Sequence, residues 1–285
     1  MKRFHFEPTS YCQLRCGLCP SITFDSKRRG FMDVSSFKKL IRDAASLGIM
    51  AKGDEAHLYG FGEPTLHKQL DDMIKTVNER GMITKINTNG LALKPELWDR
   101  LASTGLSECL VSIDGMDRQT YQKYRTRGNF KKLKENIGYV CSHPQNVKTE
   151  LQFIVFSHNI HQLEDFIKFA KEVGANIATI KKPRVWRGSK KDFKGLENIP
   201  SEYVRDYDSS NCRFSDDYGL VFQDGLLTVC TADAFGKYAV GNVFEKGPSL
   251  WVSKTFNELK SKVGKLEICK NCGYGNAFVK KIKLK

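Results

Sequence analysis

The chain has 285 residues, of which 40% are hydrophobic, 27% charged and 11% aromatic; this is enough to bury a core without disulfides and excludes collagen-like, mucin-like and disordered classes. A formal charge of +14 biases the surface toward anions such as nucleic acid, phosphorylated metabolites or acidic membranes, the plainer alternative being a solvated basic face. No apolar run approaches the ~18 residues of a membrane span, and none follows Lys2-Arg3 as a signal peptide requires, so a soluble cytoplasmic protein without a membrane partner is expected.

Up to about residue 182, short apolar runs alternate with amphipathic stretches. Strands are expected at 3–7, 57–60, 83–87, 108–113, 150–156 and 177–180. Between them Phe37, Leu40, Ile41 and Ala44 recur at helical spacing, as do Leu70, Met73, Ile74 and Val77, and Leu163, Phe166, Ile167 and Ala170. Gly48, Gly81, Gly105 and Gly174 stand where a helix ends on a left-handed residue. Strand and helix in alternation predict βα units and a parallel sheet buried on both faces, with ligands at the carboxyl ends of its strands.

The regularity stops around residues 187–201, which read as a connector. Residues 220–222 and 226–229 then flank Asp224-Gly225, a hairpin signal. Trp251, Phe256, Leu259 and Val263 suggest a further helix, and residues 280–285 a basic tail. This second part is too short for an independent core, which makes its cysteines candidates for a metal staple. Trp98 and Trp251 are expected to pack, and Trp186 is a candidate for the mouth of the site.

Nine cysteines fall unevenly. Cys12, Cys16 and Cys19 follow the first strand with three and two residues between them, close enough to hold three irons of a 4Fe–4S cluster and leave one iron open. A three-cysteine zinc site or a buried thiol group are the alternatives. Cys212 and Cys230 bracket the hairpin, and Cys269 and Cys272 complete a set of four that suits either zinc or a fully liganded second cluster. Cys109 and Cys141 are expected to be buried as small hydrophobes.

The triplet, followed in order by Gly60-Phe61-Gly62-Glu63-Pro64, Asn87-Thr88-Asn89-Gly90, Val111-Ser112-Ile113-Asp114-Gly115 and Tyr121-x2-Tyr124-Arg125-x-Arg127-Gly128-x-Phe130, resembles the radical S-adenosylmethionine (radical SAM) superfamily over about residues 3–185. Leu18 departs from the family, which usually has an aromatic residue there. The four later cysteines resemble its SPASM/Twitch appendage in the shorter Twitch form.

The resemblance implies an α/β fold: a partial (β/α)6 TIM-like barrel at 1–186, a connector at 187–210 and a small α+β iron–sulfur domain at 211–285. It also implies two 4Fe–4S clusters, on Cys12, Cys16 and Cys19 and on Cys212, Cys230, Cys269 and Cys272, with S-adenosylmethionine on the open iron. Gly62 would admit the cofactor's backbone approach and Glu63 would accept from its ammonium group. Arg125 or Arg127 would pair with its carboxylate and Ser112 or Asp114 with its ribose, while Asn89 and Gln152 point to the same mouth. Lys181, Lys182 and Arg184 are the candidates for a substrate base.

The expected activity is reductive cleavage of S-adenosylmethionine to a 5′-deoxyadenosyl radical that takes hydrogen from a C–H bond. A second cluster favours two-electron oxidation, and the similar single-auxiliary-cluster enzymes include dehydrogenases of aminocyclitols and other polyhydroxylated molecules. A small, anionic substrate fits the charge, since no segment is spare for a leader-binding domain; crosslinking or epimerisation of a ribosomal peptide is the alternative. A flavodoxin or ferredoxin type of reductase is the implied partner. From another class, a cluster-stabilised nucleic-acid-binding module would have no use for the Glu63 and Ser112 motifs.

Overall fold

The computed structural model describes residues 1–185, 193–204, 212, 217–270, 272 and 278–285. Six strands pair in parallel in chain order: β1 (Arg3–Phe6), β2 (Glu55–Leu58), β3 (Ile83–Thr88), β4 (Glu108–Ser112), β5 (Lys148–Ile154) and β6 (Ile177–Lys181). Helices α1 (Val34–Ser46), α2 (Leu70–Asn78), α3 (Pro95–Ser103), α4 (Arg118–Tyr124), α5 (Phe130–Ser142) and α6 (Leu163–Glu172) run between them. The result is the expected α/β fold of partial-barrel type, with an open, mixed sheet.

Local chemistry explains the elements. Asp33 caps α1 by accepting from Ser36 N at 2.7 Å, and the helix buries Val34, Phe37, Leu40, Ile41 and Ala44. Phe37 meets Phe6 edge-on at 5.2 Å, while Trp251 meets Phe4 at 5.4 Å, so the outer face of β1 is an aromatic contact layer. Trp98 and Trp251 are buried as expected, each with its indole N–H on a carbonyl, His143 O and Tyr218 O respectively.

The later part of the chain extends the same sheet on both edges. β7 (Asp217–Val221) pairs in parallel with β1, and β8 (Leu226–Thr228) and β9 (Ala239–Asn242) continue antiparallel beyond it. The hairpin turns at Gly225, whose φ of 88° and tight approach to Asn242 and Phe244 admit no side chain. Short helices α7 (Val243–Lys246) and α8 (Lys254–Lys260) follow.

Two expectations are corrected here. The basic tail is a strand, β10 (Phe278–Lys283), antiparallel to β6; its lysines suit an exposed edge, and Lys281 pairs with the buried Glu150 at 2.8 Å. The single helix expected from Trp251 to Val263 is broken at Ser253, which is extended and caps α8 through Phe256 N. Trp186 and residues 187–192 of the connector lie outside the described residues. Among the described residues no helix is long and apolar enough to cross a membrane.

Candidate active site

At the carboxyl ends of the barrel strands lies a cavity of about 280 Å³. Its walls include Cys12, Cys16 and Cys19, with Gly62, Glu63, Asn89, Ser112, Arg125, Gln152, Lys181, Lys182 and Arg184. The residues predicted for the first cluster, the cofactor and the substrate base are therefore brought together, with two exceptions. Asp114 and Arg127 do not line the cavity, and Arg127 is exposed in a turn at φ 71°.

The loop carrying the cysteines is held by the motif after β2. Gly62 packs so closely on the Thr9 carbonyl that a Cβ would lie 1.9 Å from its oxygen, and Glu63 N donates to Tyr11 O at 2.8 Å. Only glycine permits that approach. Glu7, buried at the end of β1, accepts from Phe61 N at 2.9 Å and pairs with Arg28 at 2.7 Å; burial is the larger influence and raises its pKa.

Glu63 is 2% exposed and its carboxylate is already well used. Oε1 accepts from Thr65 N and Oγ1 and from Thr88 Oγ1, and Oε2 accepts from Asn89 N at 2.7 Å. Burial raises its pKa against these four hydrogen bonds, which favour the ionised form. Glu63 thus ties the loop after β2 to the end of β3 while lining the cavity, its Oε2 carrying one hydrogen bond against three on Oε1.

Asp114 has a role the sequence did not suggest. Fully buried, it accepts from Arg125 Nε and Nη2 at 2.5 Å and from Ile154 N at 2.6 Å. Arg125 Nη1 in turn reaches Cys16 Sγ at 3.8 Å. Asp114 therefore fixes the guanidinium that faces the cysteine sulfur.

The thiols themselves sit in a dry setting. Burial pushes Cys12 up to about 12 and Cys16 up to about 11, and raises Cys19. Donors nonetheless point at the sulfurs: Leu14 N and Asn89 Nδ2 at Cys12, and Arg125 at Cys16. Cys16 is buried and Cys12 and Cys19 half-buried; with N–H donors on Cys12 and Cys16 and the Ser21 hydroxyl 3.1 Å from Cys19 Sγ, they form a donor set that an iron–sulfur cluster takes, its irons supplying the charge that a bare thiolate lacks here.

The later cysteines show the same pattern. Cys230 and Cys269 are buried, with Ala232 N donating to one sulfur at 3.4 Å and Gly264 N to the other at 3.2 Å. Cys272 interacts electrostatically with both, and Cys212 with Cys269, so the four share one neighbourhood. Burial pushes Cys230 up to about 12. This group borders the cavity, since Arg184, on the cavity wall, donates to Cys272 Sγ at 2.8 Å and Thr231 lines the cavity beside Cys230. Cys109 and Cys141 are buried and do not line this cavity.

Sequence reasoning missed the inner face of the barrel. His5, Glu55, His57 and Asp217 are buried there, with Tyr59 at the cavity wall. The signal was available as alternation, since Arg3-Phe4-His5-Phe6-Glu7 and Glu55-Ala56-His57-Leu58-Tyr59 place polar residues at every second position.

Residues 6–170 match the radical SAM superfamily. Among curated proteins, the chain is 29% identical over 189 residues to the tungsten-containing aldehyde ferredoxin oxidoreductase cofactor-modifying protein of Pyrococcus furiosus, covering 63% of this chain and 51% of that one. It is 26% identical over 171 residues to PqqA peptide cyclase of Ruegeria pomeroyi, covering 59% and 44%. The chain thus spans about half the length of the curated relatives it matches. Among solved structures, BtrN in complex with AdoMet and 2-DOIA superimposes with a TM-score of 0.64 at 18% identity, over 99% of this chain and 98% of that one. SuiB of Streptococcus suis bound to S-adenosylmethionine gives 0.70 at 16%, over 95% and 72%. At these identities the likeness to the solved structures is one of fold.

Proposed function

The chain belongs to the radical SAM superfamily, and from that premise we propose that it oxidises a small polyhydroxylated substrate by two electrons, starting with hydrogen abstraction from a C–H bond. The observation that carries this reading is that one cavity is lined both by Cys12, Cys16 and Cys19 and by Arg184, which is bonded to Cys272 of the later group.

Cys12, Cys16 and Cys19 would hold a 4Fe–4S cluster, which with S-adenosylmethionine would supply the radical chemistry that starts the reaction. Glu63 offers Oε2 to the cofactor's ammonium group, and Arg125, already held by Asp114, balances charge at Cys16. Ser112, Asn89 and Gln152 offer polar groups at the cavity wall for ribose and substrate hydroxyls. Cys212, Cys230, Cys269 and Cys272 would hold a second, Twitch-type cluster, placed to accept the electron left on the substrate. Lys181, Lys182 and Arg184 add positive charge at the wall, which favours an anionic substrate.

In this reading 1–186 is the core, 187–210 the connector and 211–285 the auxiliary-cluster part. A flavodoxin- or ferredoxin-type reductase supplies electrons. Peptide modification is the second reading, favoured by the similarity to PqqA peptide cyclase.

The test is anaerobic reduction of the reconstituted protein with S-adenosylmethionine, followed by chromatography for 5′-deoxyadenosine. Formation of that nucleoside is expected. Its absence from protein carrying its full iron would favour a binding module without turnover.

A further inference from the structure

Beside the cavity, side chains from five strands, β1 to β4 and β7, meet in a polar chain inside the barrel. Tyr59, on the cavity wall just after β2, places its hydroxyl 2.9 Å from His57 Nδ1. His57 Nε2 lies 2.7 Å from Glu55 Oε2, and Glu55 Oε1 lies 2.7 Å from Lys85 Nζ, which also pairs with Glu108 at 3.2 Å. The His5 ring packs edge-on against His57 at 4.4 Å and is itself bonded to Asp217 at 3.0 Å.

The direction of each hydrogen bond follows from the groups. Burial, with His5 adding to it, holds His57 down to about 4, so its ring is neutral at pH 7. The hydrogen bonds from His57 and Lys85 keep Glu55 ionised, down to about 2. An ionised carboxylate only accepts, so the proton of the neutral ring is on Nε2 and points to Glu55. Nδ1 is then the lone-pair nitrogen, and it accepts from the Tyr59 hydroxyl. A carboxylate that fixes the tautomer of a histidine, which in turn faces a hydroxyl at a cavity wall, is the arrangement that activates a hydroxyl in acid–base catalysis.

The other candidates for a base are less suited. Arg184 keeps its proton as any guanidinium does. Lys182 Nζ donates to Val204 O at 2.8 Å and Lys181 Nζ to Gln152 Oε1 at 3.2 Å.

We propose that Tyr59 is the group that takes the hydroxyl proton of the oxidised substrate, passing its own phenolic proton to Nδ1 of His57. The inference rests on the oxidative reading of the cavity. After a hydrogen atom has left the carbon, the adjacent O–H is more acidic than in the parent alcohol. That O–H bond breaks, an O–H bond forms at Tyr59, the former Tyr59 O–H bond breaks, and an N–H bond forms at His57. The resulting imidazolium lies uphill of the neutral ring that the buried site favours, and its pairing with Glu55 is what stabilises it. No electron moves in this step; the substrate radical anion it leaves is the stronger reductant, and an iron–sulfur acceptor held by the later cysteines would take up its electron. Tyr59 is thus a catalytic residue of the proposal, and His57 and Glu55 position and hold its proton.

The experiment counts 5′-deoxyadenosine against electrons supplied. Reconstituted protein receives a small measured amount of reductant, S-adenosylmethionine, and the small-molecule fraction of an extract from bacteria grown in deuterated medium. Two-electron oxidation returns one electron per turnover, so wild type is expected to form several nucleosides per electron. Tyr59→Phe is expected to keep deuterium transfer into 5′-deoxyadenosine while falling to a single nucleoside per electron, with oxidation slowed by roughly 10²–10⁴. His57→Gln is expected to do the same, and nitrogen NMR of ¹⁵N-histidine protein to show the neutral Nε2–H form of His57 at pH 7. A Tyr59→Phe ratio equal to wild type would overturn the assignment, as would loss of deuterium transfer, which would make Tyr59 a binding residue. A wild-type ratio of one would instead overturn the oxidative reading, and the proton acceptor with it.

Discussion

Arg184 and Cys272, 88 residues apart in the chain, meet in a hydrogen bond of 2.8 Å from Nη2 to Sγ. One end of this contact is on the cavity wall and the other in the second cysteine group. If that group holds a cluster, wild type should carry about eight irons and the Cys269→Ala/Cys272→Ala variant about half of them. The variant should still form 5′-deoxyadenosine, whereas oxidised product should vanish. A zinc site would give about four irons and one zinc in wild type. Circular dichroism and gel filtration on the variant come first, because a small metal-held region can unfold without its metal.

Replacing Cys12, Cys16 and Cys19 together by Ala should abolish cleavage of S-adenosylmethionine and leave the iron of the later group in place. Metal analysis beside nucleoside chromatography checks both halves. Loss of all iron would argue against two separate clusters.

Glu63→Gln should weaken S-adenosylmethionine binding roughly 10- to 100-fold, the value of a charge-assisted hydrogen bond of about 1.5–3 kcal/mol in a dry site. Because Thr65, Thr88 and Asn89 all donate to this carboxylate, the variant should also melt at a lower temperature. Thr88→Val, which removes one of those donors, should lower the melting temperature without loss of iron. Calorimetric titration with S-adenosylmethionine would show an unchanged affinity in Glu63→Gln if Glu63 only joins the two loops.

The buried His57 makes stability depend on pH. Its ordinary value is 6.5 and the fold holds it down to about 4. Between those values the unfolded chain takes up a proton that the folded chain refuses, so stability falls as the pH drops through this window. One such group gives a slope of at most about 1.4 kcal/mol per pH unit. Urea unfolding between pH 7 and pH 4 should show that part of the slope disappear in His57→Gln. An unaltered slope would mean that the ring is already protonated in the folded protein.

Much of this architecture is legible in the chain itself. The helical faces at Phe37, Leu70 and Phe166 are local patterns, and the structure buries each of them. The cysteine spacing and the glycines likewise act over a few residues; Gly62 and Gly225 stand where the backbone leaves no room for a side chain. What escaped depends on partners far away in sequence. Residues 280–285 look like a basic tail until β6 is there to pair with residues 278–283. Asp114 looks like a ligand for ribose until Arg125, eleven residues later, is seen to occupy it. Burial of His5 reflects the pairing of β7 beside β1, which brings Asp217 to His5, whose ring packs on His57.

The central claim is that this cavity takes a hydrogen atom from a substrate carbon. The most direct measurement is deuterium transfer: the reduced protein, S-adenosylmethionine and the small-molecule extract of cells grown in deuterated medium are combined anaerobically, and the nucleoside is analysed by mass spectrometry. The account predicts 5′-deoxyadenosine carrying deuterium, at a level that falls to background in the Cys12→Ala/Cys16→Ala/Cys19→Ala variant. Nucleoside formed in quantity without deuterium, or equally by that variant, would contradict it.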